Sequence, residues 1–397
     1  MTKKISLILL VFLTIVLSLW IWSFTASKNS IVLGGSTSVN PFMQKMTKIY
    51  FDNGKTDFVY NSTGSQAGVG GVEKTMYSAG FVSKKIKPET LSTGHKFKKL
   101  DCETQSCEVK NKDEFDVIKT NIINNANKEE KNNSYIGLEF AIDAIGVIFN
   151  SPTYWNEIGE QSNTSLNDLV DFAKKEDDNL SEIYAGNYTW EEFGLKLIKN
   201  DENKYLDLLE KIKNNSSASK KIVTFTREDG SGTRSAFSDI TGIKSMPKSN
   251  VVNSNGSMIE NIAIAPSIGY VSNAFLSQLS NESTVKLSGF NGKKLAYGEN
   301  GKPQKFENGK WDEWTSENND SNLSTNDLFI KDIYEFKRPF IAIFNTYNNL
   351  NQILDFFEFI LTDSSNDSQK ESAEKVFKDE GLVKNFEFNP LPVDKKI

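Results

Sequence analysis

Arginine occurs at only three positions, Arg227, Arg234 and Arg338, in a chain with 46 basic residues. Two of the three fall in one short segment, FTREDGSGTRSAF, residues 225–237. A chain that uses lysine almost everywhere else places arginine there. A guanidinium differs from an ammonium by a rigid planar fork that suits the paired oxygens of carboxylates and phosphates. The same segment puts Gly, Ser and Thr where a helix would begin. Free backbone N–H groups and the helix dipole make such a position an anion site. Glycine permits close backbone approach, and hydroxyls add donors without bulk. Two further segments repeat the pattern, IVLGGSTSVNP at 31–41 and DFVYNSTGSQAGVGG at 57–71. Helix capping uses the same residue types and explains any one loop alone. Three such loops, one beside an arginine, point to convergence on one small oxyanion.

Other chemistries fit less well. His95 is the sole histidine and stands in polar TGHKFKK, a loop-like setting. A single histidine excludes His-rich metal sites and most Ser–His–Asp chemistry. GVGGVEKT, from Gly68, superficially resembles a nucleotide P-loop, but Glu73 stands where its glycine belongs. No dinucleotide fingerprint follows a strand, and DGSGTR is not a nucleophile elbow. The expectation is a binding protein with no catalytic residue, metal or cofactor. A net charge of −6 argues against nucleic acid as a partner.

The elements that would position these loops alternate as strand, loop and helix, the mark of an α/β fold with largely parallel sheet. After the first loop, Phe42, Met46, Ile49 and Tyr50 share one helical face. A helix-like stretch follows the second at 72–77. AIDAIGVIF (141–149) and IGYV (268–271) read as central strands. Ile353, Phe356, Phe357, Ile360 and Leu361 follow a helical spacing that buries one face. The polar, Asn/Lys-rich stretches 108–134 and 298–328 read as loops or insertions.

At the N-terminus, Lys3 and Lys4 precede the uncharged run Ile5–Phe24. Twenty helical residues span about 30 Å, the thickness of a hydrocarbon core. The flanking lysines keep the start inside and the rest outside. The expectation is an uncleaved membrane anchor at 1–28, with secretion as the outcome if it is cleaved. That segment holds three lysines and no acids, which takes the outer part from −6 to −9. Outside the membrane, Cys102 and Cys107 in DCETQSC are expected to form a small-loop disulfide.

The loops resemble those of a known family, the PstS-type phosphate-binding proteins of ABC importers, with their periplasmic-binding-protein fold. The most specific element is REDGSGTR, Arg227 to Arg234. GGSTSVNP (34–41) is similar to the family's first anion loop, NSTGSQAGVGG (61–71) to its second, and SAGFVSKKIK (78–87) to the strand and turn after it. Weaker similarities at 141–150, 180–194, 267–272 and 334–340 keep the family's order, so the resemblance covers most of 31–397.

It implies an α/β clamshell of two lobes. Lobe I is 29–148 with 340–397, and lobe II is 149–339. Two strands cross between them near 146–150 and 335–342. It also implies that Thr37, Ser38, Ser65, Arg227, Ser231, Gly232 and Thr233 hold phosphate, that Asp229 orients Arg227, and that Arg234 supports the loop. Arg338, beside Pro339, is expected to be structural in the return strand. Some family members carry an aspartate where this chain has Ser83. That carboxylate accepts the proton of the oxyanion. Ser83 can accept too but carries no charge, and Asp143 in AIDAIG is a candidate replacement, or else a strand-end residue capping a turn. The implied function is capture of inorganic phosphate outside the cytoplasm, by a monomer that delivers it to membrane permease subunits. The alternatives are another oxyanion (sulfate, molybdate or a phosphonate), or an adhesin or sensor that retains the fold.

Overall fold

The structure, a computed structural model, describes residues 30–390 apart from 101–106, 127–129, 159–164, 173–178, 216–219, 280–283, 298–300, 308–309, 317–323 and 364–371. The N-terminal segment and Cys102 therefore lie outside the described residues. Cys107 is disulfide-bonded. Among the described residues, no helix is long and apolar enough to cross a membrane.

The first three strands are β1 (Ile31–Gly35), β2 (Phe58–Ser62) and β3 (Ala79–Val82), joined by helices α1 (Asn40–Asp52) and α2 (Ser65–Glu73). β4 (Cys107–Val109) precedes the long β5 (Tyr135–Asn150). Then come β6 (Val223–Arg227), α3 (Gly232–Thr241), β7 (Asn250–Val252), α4 (Asn255–Ile264) and β8 (Ser267–Ser272). Four short strands follow, β9 (Lys286–Leu287), β10 (Lys293–Lys294), β11 (Gln304–Glu307) and β12 (Lys310–Glu313). β13 (Lys337–Asn345) and β14 (Val383–Phe388) complete the set.

One mixed sheet runs β2-β1-β3-β13-β5-β8-β6-β7. Its two ends are parallel, as strand–helix–strand connections require: β1 with β2 and β3, and β6 with β7 and β8. β13 and β5 run antiparallel through its middle, and β5 hands its pairing from β13 to β8 between Ala144 and Ile145. These two strands connect two apolar cores. Leu33, Phe42, Phe81, Phe140, Ala141, Phe340 and Phe357 belong to one. Ala144, Ile145, Phe149, Trp155, Phe237, Tyr270 and Phe336 belong to the other. Core membership thus changes between Ala141 and Ala144 on β5, and between Phe336, just before β13, and Phe340 on it. A register shift in β13 at Phe340/Ile341 lies beside that change. The lobe limit expected at 339/340 falls within the second of these changes, whereas the one expected at 148/149 lies further along β5, past Ala144, Ile145, Val147 and Ile148, which already belong to the second core.

The helical spacings do bury the faces that they define. Phe42, Met46, Ile49 and Tyr50 are buried on α1, and Ile353, Phe356, Phe357 and Ile360 on the helix Leu350–Thr362. Two segments differ from expectation. Residues 65–71, read as loop, form most of α2, and the helix ends at Glu73 where one was expected to begin near Val72. Gly68 serves packing: a Cβ there would stand 2.8 Å from Gly35 Cα and 3.0 Å from the Phe81 carbonyl. The helix lies that close to β1 and β3 because Gly68 carries no side chain. Residues 112–124, also read as loop, form a helix capped by Asn111, whose side chain accepts from Glu114 N at 3.0 Å. Only Phe115 and Ile122 are buried on it, too sparse a stripe to signal a helix.

Candidate oxyanion site

Each of the three loops leaves a strand at the edge of its core and enters a helix. The first turns at Gly35–Val39 between β1 and α1. Ser38 N donates to Ser36 Oγ at 3.2 Å, and Tyr60 Oη donates to the Ser36 carbonyl at 2.7 Å. The second enters α2 at Ser65, and Ser83 N, just past β3, donates to Ser65 Oγ at 3.3 Å. The third enters α3 at Gly232. Ser231 is its N-cap, accepting from Arg234 N at 3.4 Å. The first-turn N–H groups of Gly232 and Thr233 have no intrahelical acceptor. Gly230 takes φ +86°, which favours glycine at that turn.

These loops come from different cores and meet. Arg227 Nη2 donates to Thr37 Oγ1 at 3.1 Å. The hydroxyls of Ser38 and Thr233 share a hydrogen bond at 2.9 Å. Asn255 Nδ2, at the start of α4, donates to Ser38 Oγ at 3.1 Å. Arg227, Ser65 and Ser83 are wholly buried, and Ser38, Thr233, Ser231 and Asn255 nearly so. A cleft of about 980 Å³ opens beside them, lined by Thr63, Gln66, Lys84, Glu228 and Asp229 among others.

The Arg227 guanidinium is fixed from several sides. Nε and Nη2 fork onto Glu228 at 3.0 and 2.9 Å, Nη1 donates to Asn255 Oδ1 at 3.3 Å, and Nη2 reaches the Asn253 carbonyl at 3.0 Å. Its backbone N–H donates to Tyr270 Oη at 3.3 Å, and the Tyr270 ring stacks on Phe237 at 4.0 Å. Burial raises the Tyr270 hydroxyl's pKa and keeps it neutral. The carboxylate that orients Arg227 is Glu228, and not Asp229 as expected. Asp229 lies almost fully exposed and pairs with Arg234 at 2.9 Å. Arg234 also ties the loop by donating to the Arg227 carbonyl at 3.0 Å.

Arg338 lies on the return strand β13, as expected, and is held there by a buried ion pair. It lies opposite Asp143 in the β13–β5 register, where the two cores meet. Nε donates to Asp143 Oδ2 at 2.9 Å, and Nη1 lies 3.3 Å from Ser83 Oγ. Nη2 stands 2.8 Å from the same Oδ2 but forms no hydrogen bond, so that contact is ionic. Asp143 is mid-strand and fully buried, and it also accepts from Ser272 Oγ at 2.8 Å and Asn273 N at 3.1 Å. Burial pushes its carboxyl up and the guanidinium down, while each charge opposes the other's shift. The Arg227 charge adds to the depression of Arg338.

Among the described residues, no group of three His, Cys, Asp or Glu is placed to hold a metal ion. His95 is a loop residue, as expected, but only partly exposed: its Nδ1 lies 2.8 Å from Glu73 Oε1, and its ring packs on Tyr135 at 5.0 Å.

A family model for the PBP superfamily domain matches residues 23–364. The chain belongs to that superfamily. No curated protein matches it in sequence. Among solved structures it is similar to a protein described as a phosphate ABC transporter substrate-binding protein, with phosphate bound, from Clostridium perfringens. The two are 19% identical over 90% of this chain and 99% of that one, with a TM-score of 0.51. An ABC-type phosphate transport receptor from Vibrio cholerae is 17% identical over 89% and 99%, with a TM-score of 0.47. PstS from Borrelia burgdorferi is 16% identical over 92% and 100%, with a TM-score of 0.40. At these identities the likeness is one of fold alone.

In this member of the superfamily, sequence reading missed Ser36, Glu228, Asn255 and the contact of Arg338 with Ser83. Asn255 was findable, since VVNSNGSMIENIAI repeats the strand, small-residue loop and helix pattern a fourth time. The Arg338–Asp143 pair was not, because it needs the register of strands 195 residues apart.

Proposed function

We propose that the chain is an extracytoplasmic capture protein that holds inorganic phosphate between its two lobes and delivers it to the permease of an ABC importer. The observation that carries this is Arg227: wholly buried, at a helix-entry loop of one core, and bonded across to Thr37 of the other. A buried guanidinium bonded to Thr37 and to Asn255 at the start of α4, near the Ser38 and Thr233 hydroxyls, is suited to a tetrahedral oxyanion. The solved relative with bound phosphate supports phosphate as that anion.

In this reading Thr37, Ser38, Ser65, Ser83, Arg227, Ser231, Gly232 and Thr233 supply donors, and Arg234 and Glu228 hold the third loop. The protein binds and releases the anion without chemistry. Removing a doubly charged anion from water is costly, so many fixed donors are needed to offset it. Donors from both lobes make the anion a bridge, which raises the population of the closed form. Attraction comes from local dipoles and Arg227, since the part beyond residue 28 carries −9. The run 5–24 anchors a monomer outside the membrane and keeps it near its permease, which raises the effective concentration.

The test is Arg227→Ala in the full-length chain, with phosphate binding followed by calorimetry and folding by far-UV circular dichroism. The reading predicts loss of measurable binding with an unchanged spectrum. Near-normal affinity in the variant would overturn the site assignment.

A further inference from the structure

The fourth strand–loop–helix segment brings a side chain between the other loops. β7 pairs in parallel with β6, with Arg227 opposite Val252. Glu228 N donates to the Val252 carbonyl at 3.1 Å, so residues 253–255 run beside the third loop. Ser254 caps α4 by accepting from Ser257 N at 2.9 Å. Asn255 opens the helix and is 1% exposed. Its Oδ1 lies 3.3 Å from Arg227 Nη1, and its Nδ2 lies 3.1 Å from Ser38 Oγ.

This amide can stand only one way round. A guanidinium has five donors and no acceptor, so the oxygen of Asn255 must face Arg227. The NH2 group is thereby aimed at Ser38. The first contact lies within the half of the chain that carries the third and fourth loops. The second reaches the first loop, in the other half, and so forms only where the two halves meet. An amide also suits this place better than an acid. Glu228 already forks onto Nε and Nη2 of Arg227. A second carboxylate at residue 255 would compete with an anion for the same guanidinium, and would give Ser38 no proton.

We propose that Asn255 is a positioning residue for the captured anion: its carboxamide ties Arg227 to Ser38 as the two halves meet, so that the guanidinium and the first loop grip the anion as one unit. This rests on the capture reading and names a residue that couples the two sides of its site. Asn255 steadies Arg227 before closure and adds a hydrogen bond to Ser38 on closure. Removing it weakens the closed form, and the anion held there is released more readily. Asp at the same position separates this role from packing. It has the size of Asn, and an acid in the first turn suits the helix dipole. It keeps an acceptor for Arg227 but loses the donor for Ser38 and adds a negative charge. Packing alone therefore predicts that Asp binds the anion better than Ala, and positioning predicts the reverse.

The experiment is calorimetric titration of inorganic phosphate into the full-length chain, as the natural protein and as Asn255→Ala, Asn255→Asp, Ser38→Ala and the Asn255→Ala/Ser38→Ala double variant. Asn255→Ala is expected to weaken phosphate binding roughly ten- to a hundredfold. Asn255→Asp is expected to bind about a further tenfold more weakly than Asn255→Ala, with far-UV circular dichroism unchanged. The double variant is expected to lose less than the product of the two single losses, by about threefold or more, because each single change already breaks the shared bond. Tighter binding by Asn255→Asp than by Asn255→Ala, or single losses that simply multiply, would overturn the proposal and leave the capture reading standing. Failure of the natural protein to bind phosphate would remove the capture reading itself, and this proposal with it.

Discussion

Gly232→Ala isolates the contact between the two lobes. At this position a Cβ would overlap Ser83 Oγ and Ser65 Oγ and stand 3.2 Å from Ser83 N. Ordinary contact begins at 3.4 Å, so both hydroxyls must retreat by about 1 Å. Ser83 cannot retreat freely, because Ser36 and Arg338 hold its oxygen. Ser65 is held by Ser83 N. Overpacking of this kind costs about 1–3 kcal/mol, and displaced buried hydrogen bonds add to it. We take about 3 kcal/mol as the penalty on the closed form. At 1.4 kcal/mol per tenfold, that is a loss of roughly a hundredfold in phosphate affinity. The open form escapes the penalty, since the clashing oxygens belong to the other lobe. Alanine also favours the helix by about 1 kcal/mol over glycine. Thermal unfolding without ligand should therefore change little while calorimetry records the weaker binding. An affinity within about threefold of the natural protein would refute the reasoning.

Two further outcomes follow from the buried charges. Asp143→Asn leaves Arg338 without its counter-charge in a dry setting, and should lower unfolding stability by about 3 kcal/mol or more in a denaturant titration. A change below about 1 kcal/mol would show that the pair is not buried as described. Glu139, on β5, accepts from Asn385 Nδ2 at 2.6 Å, and burial pushes its carboxyl up from 4.5 to about 7. The folded state then holds that proton more tightly than the unfolded one, so Glu139 contributes stability that is fully present below pH 4.5 and is lost as pH rises through about 7. Glu139→Gln should be neutral in acid and stabilising by up to about 3 kcal/mol above neutrality, read as the pH dependence of thermal unfolding. A gain that does not vary with pH would contradict the shift.

What was legible in the sequence was whatever depended on local chemistry. Arginine is scarce enough that its placement in a Gly/Ser/Thr loop marked the third loop. Two helices declared themselves by the spacing of Phe42 to Tyr50 and of Ile353 to Ile360. Illegible features depended on backbone course or distant register. Glu228 and Asp229 are adjacent acids, and only the loop's path decides which one faces Arg227. The α2 glycines resemble a loop until β1 and β3 are seen packed against Gly68. The second buried arginine meets Asp143 because β13 pairs with β5, and reaches Ser83 because β13 also pairs with β3, which no spacing along the chain encodes.

The central claim is capture of phosphate by donors from both lobes. Its most direct measurement is isothermal titration of phosphate into the full-length chain, stripped of bound ligand. The account predicts saturable binding of one phosphate per chain. No heat, together with no phosphate-induced rise in the unfolding temperature, would contradict it and return the three loops to the role of helix caps.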